Sequence, residues 1–123
     1  MSTQGSSTET PKIVHDDLRV ERDPDRGRIE LWQKAQFIGF LGYTEQTVGE
    51  ETVVVLQHTI IHEAFGRRGY ARALVTIVLE RLKAEGFLIV PECSYVQDYL
   101  RRYPEYAPLV FRGGFEGESE GKQ

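Results

Sequence analysis

Gly66-Arg67-Arg68-Gly69-Tyr70-Ala71 stands between two segments of different periodicity, and that placement decides the fold. Upstream, Thr52 to Ile61 carries the β-branched run Thr52-Val53-Val54-Val55, the composition of a strand. Downstream, Ala71, Leu74, Val75, Val78, Leu79 and Leu82 recur at i, i+3, i+4, i+7, i+8 and i+11. That is one apolar stripe of an α-helix, with Arg72, Glu80, Arg81 and Lys83 lying off it. Gly86 supplies the C-terminal stop. Phe87-Leu88-Ile89-Val90 is a short continuous apolar run ended by Pro91, which suits a buried parallel strand. Strand, helix and strand form a βαβ unit, expected to cross over in the right-handed sense.

The segments before this unit read as strands. Leu18 and Val20 alternate with Arg19 and Glu21, and Asp23-Pro24-Asp25-Arg26-Gly27 supplies turn chemistry. Ile29 and Leu31 continue the alternation up to a break at Lys34 and Ala35. Gln36 to Tyr43 is apolar and aromatic, with Gly39 and Gly42 at positions expected to be bulges or close approaches. Glu45 to Glu51 reads as a loop leading into Thr52. Joined by short connections, these strands make an antiparallel meander. After Pro91, Ser94 is expected to open a second helix, with Gln97 completing a capping box. Val96, Tyr99, Leu100 and Tyr103 form its apolar side, and Pro104 ends it. The fold class is α/β: a mixed sheet with antiparallel N-terminal strands, then a parallel βαβ unit and a C-terminal helix. Residues 13–111 are expected to be the single folded domain, and the polar ends 1–12 and 112–123 to be disordered tails.

Composition narrows the function. With 15 Lys and Arg against 19 Asp and Glu, the formal charge of −4 lacks the basic excess of a general nucleic-acid binder. The one cysteine, Cys93, cannot form an internal disulfide. One cysteine with scattered histidines also lacks the ligand spacing of a zinc site, so no metal is expected. No apolar run approaches the roughly 18 residues of a membrane helix, and the start lacks the apolar stretch of a signal peptide. The expectation is a cytoplasmic protein, monomeric or weakly dimeric, with no nucleic-acid or membrane partner.

The glycine turn is the first candidate site. The opening N–H groups of a helix have no internal partner and carry the positive end of its dipole, so they attract anions. Gly66 and Gly69 permit close approach and unusual dihedrals, while Arg67, Arg68 and Arg72 add charge suited to phosphate. Such a turn is also compatible with plain turn formation and solvated arginines. There is no Gly-Lys-Ser/Thr ending and no Gly-x-Gly-x-x-Gly fingerprint, so neither a P-loop nor a dinucleotide fold is indicated.

His58-Thr59-Ile60-Ile61, followed by Gly66-Arg67-Arg68-Gly69-Tyr70-Ala71-Arg72, resembles motif A of the GNAT acetyltransferase superfamily. The motif is Gln/Arg-x-x-Gly-x-Gly/Ala, matched here at Gly69 and Ala71, with Gly66 in place of the usual Gln or Arg. The further stretches Pro91-x-Cys93-Ser94-Tyr95-Val96 and Tyr103-Pro104-Glu105-Tyr106 make the chain similar to the minimal, YjdJ-type (NATD-like) members of that superfamily. The resemblance implies acetyl-CoA as co-substrate. Its pyrophosphate would lie on the amides of the turn, with Thr59, Ile60, Ile61, Gly66, Arg67, Arg68, Gly69, Tyr70, Ala71 and Arg72 binding the coenzyme. It also implies catalytic roles for His58 and Cys93.

Their placement in the chain is compatible with that. Both lie near the carboxyl ends of neighbouring parallel strands, where ligands of open α/β sheets bind, and Cys93 precedes a helix N-terminus, a setting that favours thiolate. By residue type alone, a lone cysteine and a strand histidine are as commonly structural. Two routes are open. In direct transfer, His58 is general base for an amine attacking the thioester, an N–H near Ile60 or Ile61 polarises the carbonyl, and Cys93 protonates the leaving thiolate. In the covalent route, Cys93 accepts the acetyl group first, activated by His58. The implied function is an N-acetyltransferase acting on a primary amine of a small molecule or a protein. The alternatives are a non-catalytic coenzyme A-binding module and a nucleotide-phosphate binder unrelated to coenzyme A. Tyr95, Tyr99, Tyr103 and Tyr106 are expected mainly to pack, with an adenine or substrate surface as the other reading.

Overall fold

The structure is a computed structural model that describes residues 12–113. The expected disorder of the ends falls almost wholly on residues outside that range. Five strands run in sheet order β1 (Leu18–Asp23), β2 (Arg28–Gln33), β3 (Gln36–Val48), β4 (Glu51–Ile61) and β5 (Leu88–Pro91). The first four are antiparallel neighbours, and β5 pairs parallel with β4 from Val53↔Leu88 to Leu56↔Pro91. Helix α1 (Tyr70–Glu85) connects β4 to β5, and α2 (Ser94–Arg102) follows. The mixed sheet with a terminal parallel βαβ unit is the architecture read from the sequence.

Two local expectations are corrected. The 45–51 loop does not exist as such: β3 continues through Val48 and pairs Thr47↔Thr52 and Val48↔Glu51, leaving only Gly49 and Glu50 as a turn. Polar Thr44 to Thr47 are exposed, so they lack the alternation that marks a half-buried strand; the ladder to Thr52–Val55 holds them. The Ser94 capping box is absent as well. Cys93 is the N-cap, Ser94 is already helical, and no side chain caps the end. Gln97 instead donates its side-chain amide to the Pro91 carbonyl at 2.8 Å.

Both helices pack on one face of the sheet. Leu74, Val75, Val78, Leu79 and Leu82 of α1 meet Ile29, Leu31, Leu41, Val54 and Leu56, joined by Val96 and Tyr99 of α2. The Thr76 and Tyr99 hydroxyls lie 2.6 Å apart between the helices, satisfying two polar groups that burial would otherwise penalise. A smaller cluster, Val53 and Val55 packed with Val90 and Phe111, sits apart from this main core.

One irregularity orients the site. Gly42 pairs with His58 but Tyr43 pairs with Leu56, so Gln57 is an extra residue, a β-bulge in β4. Strand side chains alternate between faces, and an inserted residue reverses the alternation beyond it. Leu56 and then Thr59 and Ile61 therefore face the helices, while His58 and Ile60 face the opposite side.

Candidate active site

Strands β4 and β5 separate beyond Leu56 and Pro91. The Leu56 carbonyl accepts from Glu92 N at 2.9 Å and Cys93 N at 3.0 Å, after which the chain turns into α2 while β4 continues to Ile61. On its other edge β4 stays paired with β3, and His62 N donates to Ile38 O at 2.9 Å. Alternation in an antiparallel ladder then turns the Ile60 amide toward β3 and the Ile61 amide toward the gap.

This gap continues into a cleft of about 490 Å³, whose wall on the β4 side is Thr59 and Ile61. Arg67, Gly69, Tyr70, Ala71 and Arg72 line its glycine-turn side, so seven of the anticipated coenzyme residues border one space. Ile60 is 48% exposed on the far face, and Gly66 and Arg68 do not line the cleft. Phe65 also lines the cleft and was not anticipated, and Tyr95 lines it too, the ligand-surface reading set second to packing. Tyr95 stands in the first turn of α2. Its buried neighbours Tyr99, Tyr103 and Tyr106 belong to the core, as expected of a packing series.

The turn supplies bare donors. A 3-10 segment, Glu63–Phe65, leads from β4 to Gly66. Gly69 is the N-cap of α1, at φ 87°, and has no side chain with which to cap the helix. The Tyr70, Ala71 and Arg72 amides precede the first intrahelical bond, Ala73 N to Gly69 O at 3.0 Å. The first turn carries no acid, leaving the dipole un-neutralised. The strained residue is unexpected. Gly66 has an ordinary extended conformation (φ −67°, ψ 151°), whereas Arg67 takes the left-handed one (φ 61°). A non-glycine residue held there marks a turn whose surroundings over-determine it.

The two anticipated catalytic residues lie on different sides of β4. Cys93 is 6% exposed, and its Sγ lies 3.3 Å from the Thr59 hydroxyl. The exposed His58 ring meets the edge of Phe40, with centroids 5.9 Å apart. Cys93 thus lies beside Thr59 where the strands part, His58 stands on the other face of β4, and neither lines the cleft. His62 sits edge-on to Phe37 at 5.4 Å. His15, from a stretch that offered no pattern, touches the glycine turn itself, with a ring nitrogen 2.6 Å from the Arg68 carbonyl.

A larger groove of about 710 Å³ lies between Val14–Asp17 and Gln33–Gln36, but it presents no helix N-terminus or nucleophile. Among the described residues, no group of three or more His, Cys, Asp or Glu is arranged to hold a metal ion. No described helix is long and apolar enough to cross a membrane.

No curated protein matches the chain. Among solved structures, a ribosomal-protein-alanine N-acetyltransferase from Brucella melitensis biovar Abortus 2308 is 13% identical, with a TM-score of 0.49 over 72% of this chain and 64% of that one. An aminoglycoside acetyltransferase from an uncultured soil metagenomic sample, in complex with sisomicin, is 17% identical, with a TM-score of 0.47 over 72% of this chain and 61% of that one. An acetyltransferase of Trypanosoma brucei is 17% identical, with a TM-score of 0.43 over 75% of this chain and 67% of that one. The chain thus spans less than two thirds of the length of the first two. The sequence model of one family, described as GCN5-related N-acetyl-transferase, matches residues 28–109, from the start of β2 to the end of the segment after α2. The chain belongs to the GCN5-related N-acetyl-transferase family.

Proposed function

We propose that residues 13–111 form an acetyl-CoA-dependent N-acetyltransferase of the minimal YjdJ-type kind, acting on a primary amine. The observation that carries this reading is the α1 N-terminus. Its glycine cap, uncapped amides and acid-free first turn open onto a cleft that reaches Thr59, the hydrogen-bond partner of Cys93. Those features fit a pyrophosphate followed by a long thiol arm. The Tyr70, Ala71 and Arg72 amides would hold the phosphates, with Arg67 and Arg72 adding charge. Thr59 and Ile61 would border the arm. Acetyl-CoA supplies an acyl group activated as a thioester.

The residues around the gap divide the remaining work. The Ile61 N–H can donate to a carbonyl oxygen in the gap and stabilise the negative charge it acquires under attack. His58 would take a proton from an amine arriving on the Phe40 side. Cys93 would return a proton to the departing thiolate from the opposite side. The hydrogen-bond partner of Cys93 is Thr59 rather than His58, which favours direct transfer over an acetyl-cysteine route requiring activation by His58.

The test is a calorimetric titration with coenzyme A, then an amine panel with acetyl-CoA followed by mass spectrometry of acceptor and protein. The expected result is binding, transfer to an amine and no acetylated Cys93 under single-turnover conditions. Failure to bind coenzyme A defeats the reading. Binding without transfer to any amine makes the domain a coenzyme A-binding module, and preference for ATP or NAD over coenzyme A points to another nucleotide ligand.

A further inference from the structure

Residues 12–17 precede the sheet and lie against the glycine turn. The His15 ring stacks on Tyr70, with centroids 3.8 Å apart and planes 8° from parallel. Its Nε2 lies 2.6 Å from the Arg68 carbonyl oxygen. A carbonyl only accepts, so the imidazole nitrogen is the donor. Arg72 Nε donates to the Lys12 carbonyl at 3.3 Å, and Val14 Cγ2 stands 3.4 Å from where a Gly69 Cβ would be. Asp16 O accepts from the Gln33 side-chain amide at 3.0 Å, and Gln33 Oε1 accepts from the Tyr70 hydroxyl at 2.8 Å. Lys12 is ion-paired to Glu105 beyond α2, so the segment is also fastened at its start.

These contacts build little core: His15 is half-buried, while Ile13 and Val14 are 43% and 46% exposed. They converge instead on the residues that shape the anion site. We propose that His15 is a positioning residue for the phosphate cradle, an inference that rests on the acetyl-CoA reading above. The Arg68 carbonyl and the Gly69 N–H belong to one trans peptide and point in opposite directions. Tying the oxygen to His15 aims that N–H away from the 12–17 segment and fixes the plane from which α1 starts. The constraint is needed because Arg67 holds a left-handed conformation, which is unfavourable for a residue with a Cβ. Without the anchor, the turn relaxes toward ordinary dihedrals and its amides no longer converge.

The experiment separates the hydrogen bond from the stacking. Gln carries its amide Nε2 the same number of bonds from Cα as the imidazole Nε2, so His15→Gln keeps the donor and loses the ring. His15→Phe keeps the ring and loses the donor. Calorimetric titration of the full chain with coenzyme A is expected to show His15→Phe weakened roughly 2–12-fold, the range of one net hydrogen bond. His15→Gln is expected to stay within about twofold of the original. Pantetheine, which has no phosphate, should bind all three proteins alike; a generally loosened structure would lose both ligands. The inference is overturned if His15→Phe binds coenzyme A as tightly as the original, if His15→Gln is as weak as His15→Phe, or if the loss extends equally to pantetheine. Failure of the original protein to bind coenzyme A removes the acetyl-CoA reading itself, a different result from any difference among the variants.

Discussion

The imidazole of His58 occupies the space in which a Gly42 side chain would stand: a Cβ built there falls 2.7 Å from Nε2 and 2.8 Å from Cε1. The two residues are paired across β3 and β4 at the bulge. The atoms in the way are the far end of a flexible side chain, so Gly42→Ala should rotate the ring and leave the backbone in place. If His58 is the base, that substitution lowers turnover on the order of tenfold and leaves coenzyme A affinity unchanged. His58→Ala should cost about 10²–10⁴-fold, the usual scale for a general base. Steady-state rates beside a coenzyme A titration check both. Full activity in His58→Ala would remove it from the mechanism.

The two glycines of the turn should respond oppositely. Gly69 is at φ 87°, and a Cβ there would lie 2.9 Å from Arg72 Nη2, so Gly69→Ala strains the cap and displaces an arginine of the cradle. A loss of about 1–2 kcal/mol in stability and at least about tenfold in coenzyme A affinity is expected. Gly66 has ordinary dihedrals, and its Cβ would meet only Glu63 O, at 3.4 Å. Gly66→Ala should therefore be tolerated and stabilise by about 0.4–1 kcal/mol through the unfolded chain. Thermal melts and titrations of the two variants decide it; equal damage at both positions would refute the assignment of Gly69 as the strained cap.

This contrast was legible only through the resemblance, whose motif keeps glycine at Gly69 and has Gln or Arg at Gly66; by residue type alone the two glycines look alike. The long periods were legible: the stripe from Ala71 to Leu82 and the β-branched Val53–Val55 each report a large buried face. What escaped were features decided by single residues in context. The bulge at Gln57 sends Thr59 to Cys93 and His58 away from it, although the alternation of His58-Thr59-Ile60-Ile61 shows neither face as polar. Ser94 and Gln97 have capping-box spacing, but the chain enters α2 one residue earlier, so Cys93 takes the cap. His15 stands between Ile13-Val14 and Asp16-Asp17 with no recognisable pattern, and only the fold brings it to Arg68.

Thr59 is the described hydrogen-bond partner of Cys93 and also lines the cleft, so it should tune whatever the thiol contributes. Thr59→Val is nearly isosteric and removes the hydroxyl; Thr59→Ser keeps it. A net hydrogen bond of about 0.5–1.5 kcal/mol corresponds to a roughly 2–12-fold fall in turnover for Thr59→Val, with Thr59→Ser close to the original. The same loss should vanish in a Cys93→Ala background, because the two residues act through one contact. An undiminished effect of Thr59→Val in that background would show that the hydroxyl acts on something else.

The buried tyrosines are expected to make stability fall at alkaline pH. Burial first, and then the hydrogen bond from its hydroxyl to Glu80 at 2.6 Å, push Tyr106 up to about 12 from an ordinary value near 10. Burial raises Tyr99 in the same direction. Because the folded values lie above the unfolded ones, the unfolded chain releases these protons first as pH rises. The contribution is complete below about pH 10 and is lost as pH climbs toward about 12. Each such proton adds a slope of up to about 1.4 kcal/mol per pH unit in that window. Lys12, raised chiefly by its hydrogen bond to Glu105, titrates in the same sense, so total stability alone cannot isolate a tyrosine. Tyr106→Phe can: it should be less stable than the original at pH 8, and its stability should fall less steeply between pH 10 and 12. Urea midpoints across that range give the slope, and an identical slope in the variant would mean that Tyr106 ionises no later in the folded protein than in the unfolded chain.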